Sequence, residues 1–487
     1  MGKEQRNILM TIKHALGLVT VEPFLFFCLL GYTVKGVSFQ SLLMDRACRN
    51  MFGYSDEVCD DIDNHEIEQA RCIEAGNNLY TGVMLLGSLP AVIVAIFLGP
   101  WSDKYSRKYP LIISAGGMFL EALTQAIFTI FPSLSPIWYV VAALLSGVTG
   151  GFVISVSAAF SYVSDITDER SRASRFAVLE FFNISAIVVG NLVGGQVYQL
   201  YGYLPVMSIS PASFGMGCLY AIFCLKDTKP PIPSEKRFEM FRDLVSVDNI
   251  KQSYITCSKK RPGNIRLQIW LLVWIGCCQR FTDMGTLAIG FPFARKMYRW
   301  TVTEFSNASI VFYVVNAAVT IVVMPLLSNN LKLHEAALGL IGMLSLISKM
   351  IVTALAYKEF MFYFAWLSGT LANGVAIAVR SRLSKLVQRE ELGRAFSLFG
   401  TCESFTPLLG STVFLQIYNS SNRFFPGLAF AAGGVFLIPC VMIFIWMMRM
   451  PTVSLAEFER EDEMKNARPL ETISSSTYSK LQEEKMY

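Results

Sequence analysis

The chain has 487 residues, of which 53% are hydrophobic and only 16% charged, with a formal net charge of +5 and a mean hydropathy of +0.44. Those values lie well outside the ordinary soluble range and describe a membrane protein. The partner they imply is a lipid bilayer, and no nucleic acid is expected.

A helix needs roughly 20 mostly apolar residues to cross the hydrocarbon core. Twelve such segments follow one another at about 17–39, 79–100, 110–131, 136–160, 176–201, 204–225, 267–293, 303–327, 335–357, 361–383, 395–419 and 424–448. The basic start (Lys3, Arg6, Lys13) leads into a span too long for a signal-peptide core, so a retained first helix is expected. The spans divide the chain into a cytosolic N-terminus (1–16), a six-helix half (17–225), a cytosolic central loop (226–266), a second six-helix half (267–448) and a disordered cytosolic tail (449–487). The first half carries an acidic outer loop at about 40–78, with Asp56, Glu57, Asp60, Asp61, Asp63, Glu66 and Glu68. The expected fold is thus all-α, two six-helix halves in a membrane.

Orientation follows from the distribution of Lys and Arg in short loops. Loops after spans 2, 4 and 10 hold Lys104, Arg107 and Lys108, then Arg170, Arg172 and Arg175, then Arg382, Lys385, Arg389 and Arg394. Loops after spans 3, 5 and 9 are nearly free of positive charge, which puts both termini in the cytosol. Arg295, Lys296 and Arg299, after span 7, stand against this rule. "SDITDERSRASRF" after span 4 matches "SKLVQREELGRAF" after span 10 loosely, as parallel halves would.

The stretch "GPWSDKYSRKYPL" sets Asp103, Arg107 and Lys108 in a tight hairpin between spans 2 and 3. An acid there can cap a neighbouring helix and pair with a base, and such a pair can break when two halves rock apart. The pattern resembles the signature loop of the major facilitator superfamily, with Ser106 where that family usually has Gly. "VEPFLF" in span 1, "SYVSDITDERSRASRFAVLEFF" across spans 4 and 5, and "AVRSRLSKLV" in span 10 look like the proton-coupled folate transporter family, solute carrier family 46. The resemblance runs from about Val21 to Met450 and implies a secondary transporter working by alternating access.

Ionisable groups inside spans are costly and usually face a partner or a wet cavity. The candidates are Glu22, Glu121, Glu180, Asp283, Lys349, Arg380 and Glu403. Glu180 lies a helical turn or more beyond Arg175, where desolvation would favour proton uptake. The resemblance implies that it couples proton flow to substrate movement; the alternative is a buried acid neutralised by a base. Glu403 and Asp283 are further candidates for proton coupling, Asp283 having the option of an internal pair with Arg280. Arg380 can hold a carboxylate bidentately or reach the headgroups. Glu121 and Gln125, four residues apart on one helical face, can line a substrate cavity or bond to a neighbouring helix. The resemblance also implies a His in span 7 and an acid in span 4, but Thr282 and Asp283 stand near the first place and Gly151 at the second. Any proton relay inside the membrane therefore needs carboxylates.

Three cysteines, Cys48, Cys59 and Cys72, share the oxidising outer loop, so one disulfide and one free thiol are expected there. No metal-ligand spacing occurs among the cysteines, and no cofactor is expected. Asn419-Ser420-Ser421 is a glycosylation sequon in a short outer loop. Tyr478-Ser479-Lys480-Leu481 resembles an adaptor-binding sorting signal. The chain has no HExxH, Walker or Gly-x-Ser-x-Gly motif, which argues against an enzyme. These readings converge on a secondary transporter, and the resemblance implies proton-coupled symport of a small organic anion, folate-like or peptidoglycan-fragment-like, at the plasma membrane. The rivals are an endolysosomal exporter and a non-transporting receptor or scaffold.

Overall fold

The structure, a computed structural model, describes residues 20–167, 169–228, 264–326, 334–387 and 392–450. The expected N-terminus, most of the central loop and the tail, with Tyr478 and Leu481, lie outside the described residues.

Long helices account for nearly all of the described chain. In the first half they are α1 (Glu22–Arg46), α2 (Glu66–Lys104), α3 (Lys108–Ile130), α4 (Ile137–Ile166), α5 (Glu169–Tyr201) and α6 (Tyr203–Phe223). The second half has α7 (Ile265–Tyr298), α8 (Val302–Pro325), α9 (Glu335–Ala354), α10 (Glu359–Leu386), α11 (Leu392–Ser421) and α12 (Leu428–Met448). Ten of these are long and apolar enough to cross a membrane. The two that fall short by composition, α7 and α11, carry Arg280, Asp283 and Glu403. Separate apolar cores form within the two halves, one around Phe24, Leu111 and Phe214, the other around Phe291, Phe362 and Phe414.

Two close crossings repeat between the halves. On α5, a Cβ at Gly190 would sit 2.0 Å from Thr33 Oγ1 of α1, and one at Gly194 would sit 2.2 Å from the Val34 carbonyl. On α11, a Cβ at Gly410 would sit 2.1 Å from the Phe281 carbonyl of α7. Lipid gives no hydrophobic drive between helices, so backbone contact through small residues has to hold them. The first and fifth helices of each half use the same device. Within α4 the helix breaks at Gly150 and Gly151, whose φ values of 85° and 41° favour glycine. Gly151, where the family resemblance implied an acid, is thus a backbone pivot.

The expected outer loop is mostly helical. Helix α1 runs on to Arg46 and into a π turn over Ala47–Met51, a short helix spans Asp56–Asp60, and α2 begins at Glu66 rather than near 79. At about 1.5 Å per residue, the 39 residues of α2 are far longer than a bilayer core, so its polar first turns stand clear of lipid. Hydropathy marks where lipid ends, whereas the helix ends where its hydrogen bonds do. A Cys48–Cys59 disulfide staples this cap, and Cys72 is a free, buried thiol beside it. Arg49 gathers Asp45, Asp56 and Asp60, two of which belong to the acidic run of the outer loop.

Candidate functional site

The halves meet at their capped ends. Helix α5 packs on α8, and α2 on α11. Thr303 Oγ1 donates to the Gly195 carbonyl at 2.9 Å, and Gln40 Nε2 to the Ala288 carbonyl at 3.0 Å. Asn77 Nδ2 donates to Asn419 Oδ1 at 2.9 Å, while Asn419 Nδ2 and Gln416 Nε2 both donate to Asn78 Oδ1, at 3.1 and 3.2 Å. The side chain proposed from the sequon as a glycan acceptor is therefore a bridge between the halves. A cavity of about 310 Å³ lies beneath the cap, lined by Asp45, Arg49, Cys72, Tyr198, Arg295 and Trp300. Arg295 faces Ser41 Oγ at 3.5 Å, and Arg299 reaches Asn64 Oδ1 at 3.5 Å. Two of the three positive charges that broke the loop rule, Arg295 and Arg299, thus make contacts across the interface.

Below that seal the charged groups differ in exposure. Glu180 is exposed and accepts from Asn183 Nδ2 at 3.3 Å. At about 100° per residue, Asn191 and Gly195 lie within about 60° of Glu180 around α5. Gly195 abuts Ser306 of α8, and Gly194, about 40° from Glu180 on the other side, abuts α1, so Glu180 stands on the face of α5 between α1 and α8. Arg175, a helical turn or more before Glu180 on the same helix, turns toward Glu22. Its Nη2 lies 3.5 Å from the fully buried Glu22 carboxylate and 2.9 Å from Thr20 Oγ1.

In the second half Glu403 of α11 sits between two guanidiniums. Arg280 Nε of α7 is 3.6 Å from Oε1, and Arg380 Nη2 of α10 is 3.4 Å from Oε2. The glutamate side chain is 16% exposed and the arginines 39% and 46%. Arg280 therefore pairs with Glu403, not with the adjacent Asp283. Asp283 lies in the field of Lys349, then of Arg280. Lys349 lays its stem over Gly369 and holds its ammonium 5.1 Å from the Phe312 ring centroid.

Glu121 and Gln125 meet a residue that the sequence reading passed over. Lys35, in the middle of α1, donates from Nζ to Gln125 Oε1 at 2.7 Å and lies 3.5 Å from Glu121 Oε1. Gln125 Nε2 donates to the same Glu121 oxygen at 2.9 Å. A lysine 13 residues past the start of α1 was signal enough, since it falls inside an apolar run. Arg280 was likewise visible as a charge, but its partner is 123 positions away in the chain.

The hairpin after α2 binds within its own half. Arg107 Nε donates to Asp165 of α4 at 2.8 Å, and its Nη1 to Ser102 at 2.9 Å. Ser106 and the Arg107 backbone N–H hold Asp227, just past α6, and Lys108 Nζ donates to the Ile222 carbonyl at 2.7 Å. Ser106 thus supplies a bond that glycine could not. The contacts described for Arg107 and Lys108 tie α2, α3, α4 and α6 together rather than half to half. Asp103 is placed in α2, but its side chain lies outside the described part. Among the described residues no cluster of three or more His, Cys, Asp or Glu could hold a metal ion.

Residues 74–348 match the family described as Major Facilitator Superfamily. The chain is 25% identical over 430 residues to a probable peptidoglycan muropeptide transporter, SLC46, of Drosophila melanogaster, covering 85% of this chain and 82% of that one. It is 25% identical over 361 residues to the proton-coupled folate transporter of Rattus norvegicus, covering 73% and 76%. A crystal structure of a D-xylose–proton symporter superposes with a TM-score of 0.61 at 15% identity, covering 88% of this chain and 97% of the other.

Proposed function

The chain belongs to the major facilitator superfamily and is a multi-pass membrane transporter of the secondary type, and from that premise we propose that it moves a small organic anion together with protons. The observation that carries this reading is the trio Arg280, Glu403 and Arg380. Two guanidiniums share one carboxylate, which leaves a surplus of one positive charge on two half-exposed arginines. A single carboxylate or phosphate group neutralises that surplus through charge-assisted hydrogen bonds, and the planar forks of the arginines suit it.

Glu180 is the proton carrier in this reading. Of the three carboxylates suggested for coupling, Glu403 lies between two arginines and Asp283 in the field of Lys349, while Glu180 makes no ion pair among the described residues. With the capped end taken as the outer one, the present conformation is closed to the outside. Glu180 stands in solvent here and gives its proton to the cytosolic side, and the anion leaves by the same opening. Closure of that side would desolvate Glu180 and favour reprotonation once the outer side opens. Relatives named for folate and for muropeptides support a carboxylate-bearing cargo.

The test is uptake into proteoliposomes of known orientation. Folates and muropeptides are screened first at two pH values with sodium varied independently. We expect acid-stimulated, sodium-independent accumulation that Glu180→Gln abolishes while exchange of substrate for substrate persists. Uphill accumulation by Glu180→Gln equal to the wild type, at equal abundance in the membrane, would refute the assignment.

A further inference from the structure

We propose that Lys35 is a tethered counter-cation for Glu121, a positioning residue that keeps this carboxylate ionised throughout the transport cycle. Lys35 and Gln125 are 8% and 0% exposed, and the Lys35 and Glu121 side chains 10% and 12%. An ammonium and a carboxylate so far from water are stable as charges only if each satisfies the other. Gln125 completes the arrangement. Its carbonyl oxygen takes a proton of Lys35 and its amide donates to Glu121, so one side chain serves both ions and fixes their register.

Among the described residues neither Lys35 nor Glu121 has another ion pair, and on α5, packed against α1, Arg175 is engaged by Glu22 while Glu180 bonds to Asn183. From α1 the other titratable neighbour of Glu121 is Tyr32, which stacks on Phe152 of α4 at 5.1 Å. Tyr80 of α2 and Tyr313 of α8 adjoin Tyr32 in turn. Helix α6, packed on α3, has no acid or base over Tyr203–Phe223 beyond Tyr203, Cys218 and Tyr220. Helix α4 bonds to α3 through Ser155 and Ser114, both neutral, about two turns from Glu121. All three members lie on α1 and α3 of one half, so rocking of the halves need not part them. The second half sets an acid and a lysine on the corresponding helices in reverse order, Asp283 on α7 and Lys349 on α9.

The consequence rests on the proton role proposed for Glu180. A membrane-embedded glutamate without its lysine would be a second proton site in the first half, and Lys35 confines proton exchange there to Glu180. Because the pair is a property of the resting protein, it can be read without any substrate.

Infrared difference spectra of the full chain in lipid nanodiscs are recorded between about pH 8 and about pH 5, a window above the ordinary carboxyl range of about 4, so that only a carboxyl group that has lost its counter-cation takes up a proton within it. The reference is the doubly neutral variant K35Q/E121Q, in which two amides replace two charges. Wild type minus reference is expected to lack the carbonyl band of a protonated carboxylic acid across the window. K35Q minus reference is expected to gain it. An acid band that titrates in the wild-type difference overturns the proposal, whether or not K35Q folds. A well-folded K35Q without the band overturns it too. Failure of Glu180→Gln to affect uptake would leave these spectra unchanged, so the two proposals fail separately.

Discussion

Replacing Asn419 by alanine tests how the capped ends are held together. The substitution deletes the acceptor of Asn77 Nδ2 and the donor to Asn78 Oδ1, two amide bonds across the halves. At about 1 kcal/mol net for each, the closed arrangement loses about 2 kcal/mol. Asn77 is fully buried, and its own Oδ1 has no hydrogen-bond partner, so the loss is not made good locally. Every 1.4 kcal/mol is tenfold, so the ratio of capped-closed to capped-open molecules should fall by about 30-fold. Bioorthogonal spin labels at the exposed Ile67 and Phe424 read the separation of the two capped ends by pulsed dipolar spectroscopy. Alanine should raise the long-distance population; glutamine, which keeps the amide, should raise it less. Ser421→Ala destroys the sequon but leaves the Asn419 amide in place, and should leave the distances unchanged. If Ser421→Ala opened the capped ends as far as Asn419→Ala, a glycan rather than the amide bridge would be responsible, and the reasoning would fail.

Arg280→Gln removes one of two hydrogen-bonding cations from the trio and its surplus charge, so KM for the anionic substrate should rise by roughly 10- to 100-fold, the worth of a charged hydrogen bond; concentration-dependent uptake measures it. Cys48→Ser frees a cross-link that closes a separation of 11 residues, about 3 kcal/mol in the chain-entropy model, and should speed thiol labelling of the buried Cys72. His334 caps α9 by accepting the Ala336 N–H at its Nδ1, which only the neutral ring can do. Burial, and then the nearby Arg382, push its pKa down. The unfolded chain therefore binds the proton more readily, so the capping contribution is complete above the ordinary histidine range of about 6.5 and falls as pH drops through the lowered folded value. Thermal unfolding at stepped pH should show this loss in the wild type, and His334→Ala should flatten it.

Much of this protein was legible one residue at a time. Helices that must cross lipid satisfy their own backbone, so apolar run length alone locates them, and the charged hairpin with Arg107 and Lys108 marks the fold. Charges inside spans were equally legible as sites, because each is expensive where it stands. Pairing was not legible. Arg175 sits nearer in sequence to Glu180 and binds Glu22; Arg280 sits nearer to Asp283 and binds Glu403; Glu121 waits on a lysine from another helix. Neighbours along a helix point in directions set by its 100° step, while partners are chosen by which faces two packed helices bring together. Likewise Asn419 reads as a sequon in one dimension and as a bridge in three. What the amino-acid order determined by itself is therefore the set of helices and the expensive charges within them. The tertiary structure decided which charges neutralise one another and which, like Glu180, are left open, because interhelical packing and not proximity in the chain sets every distance between them.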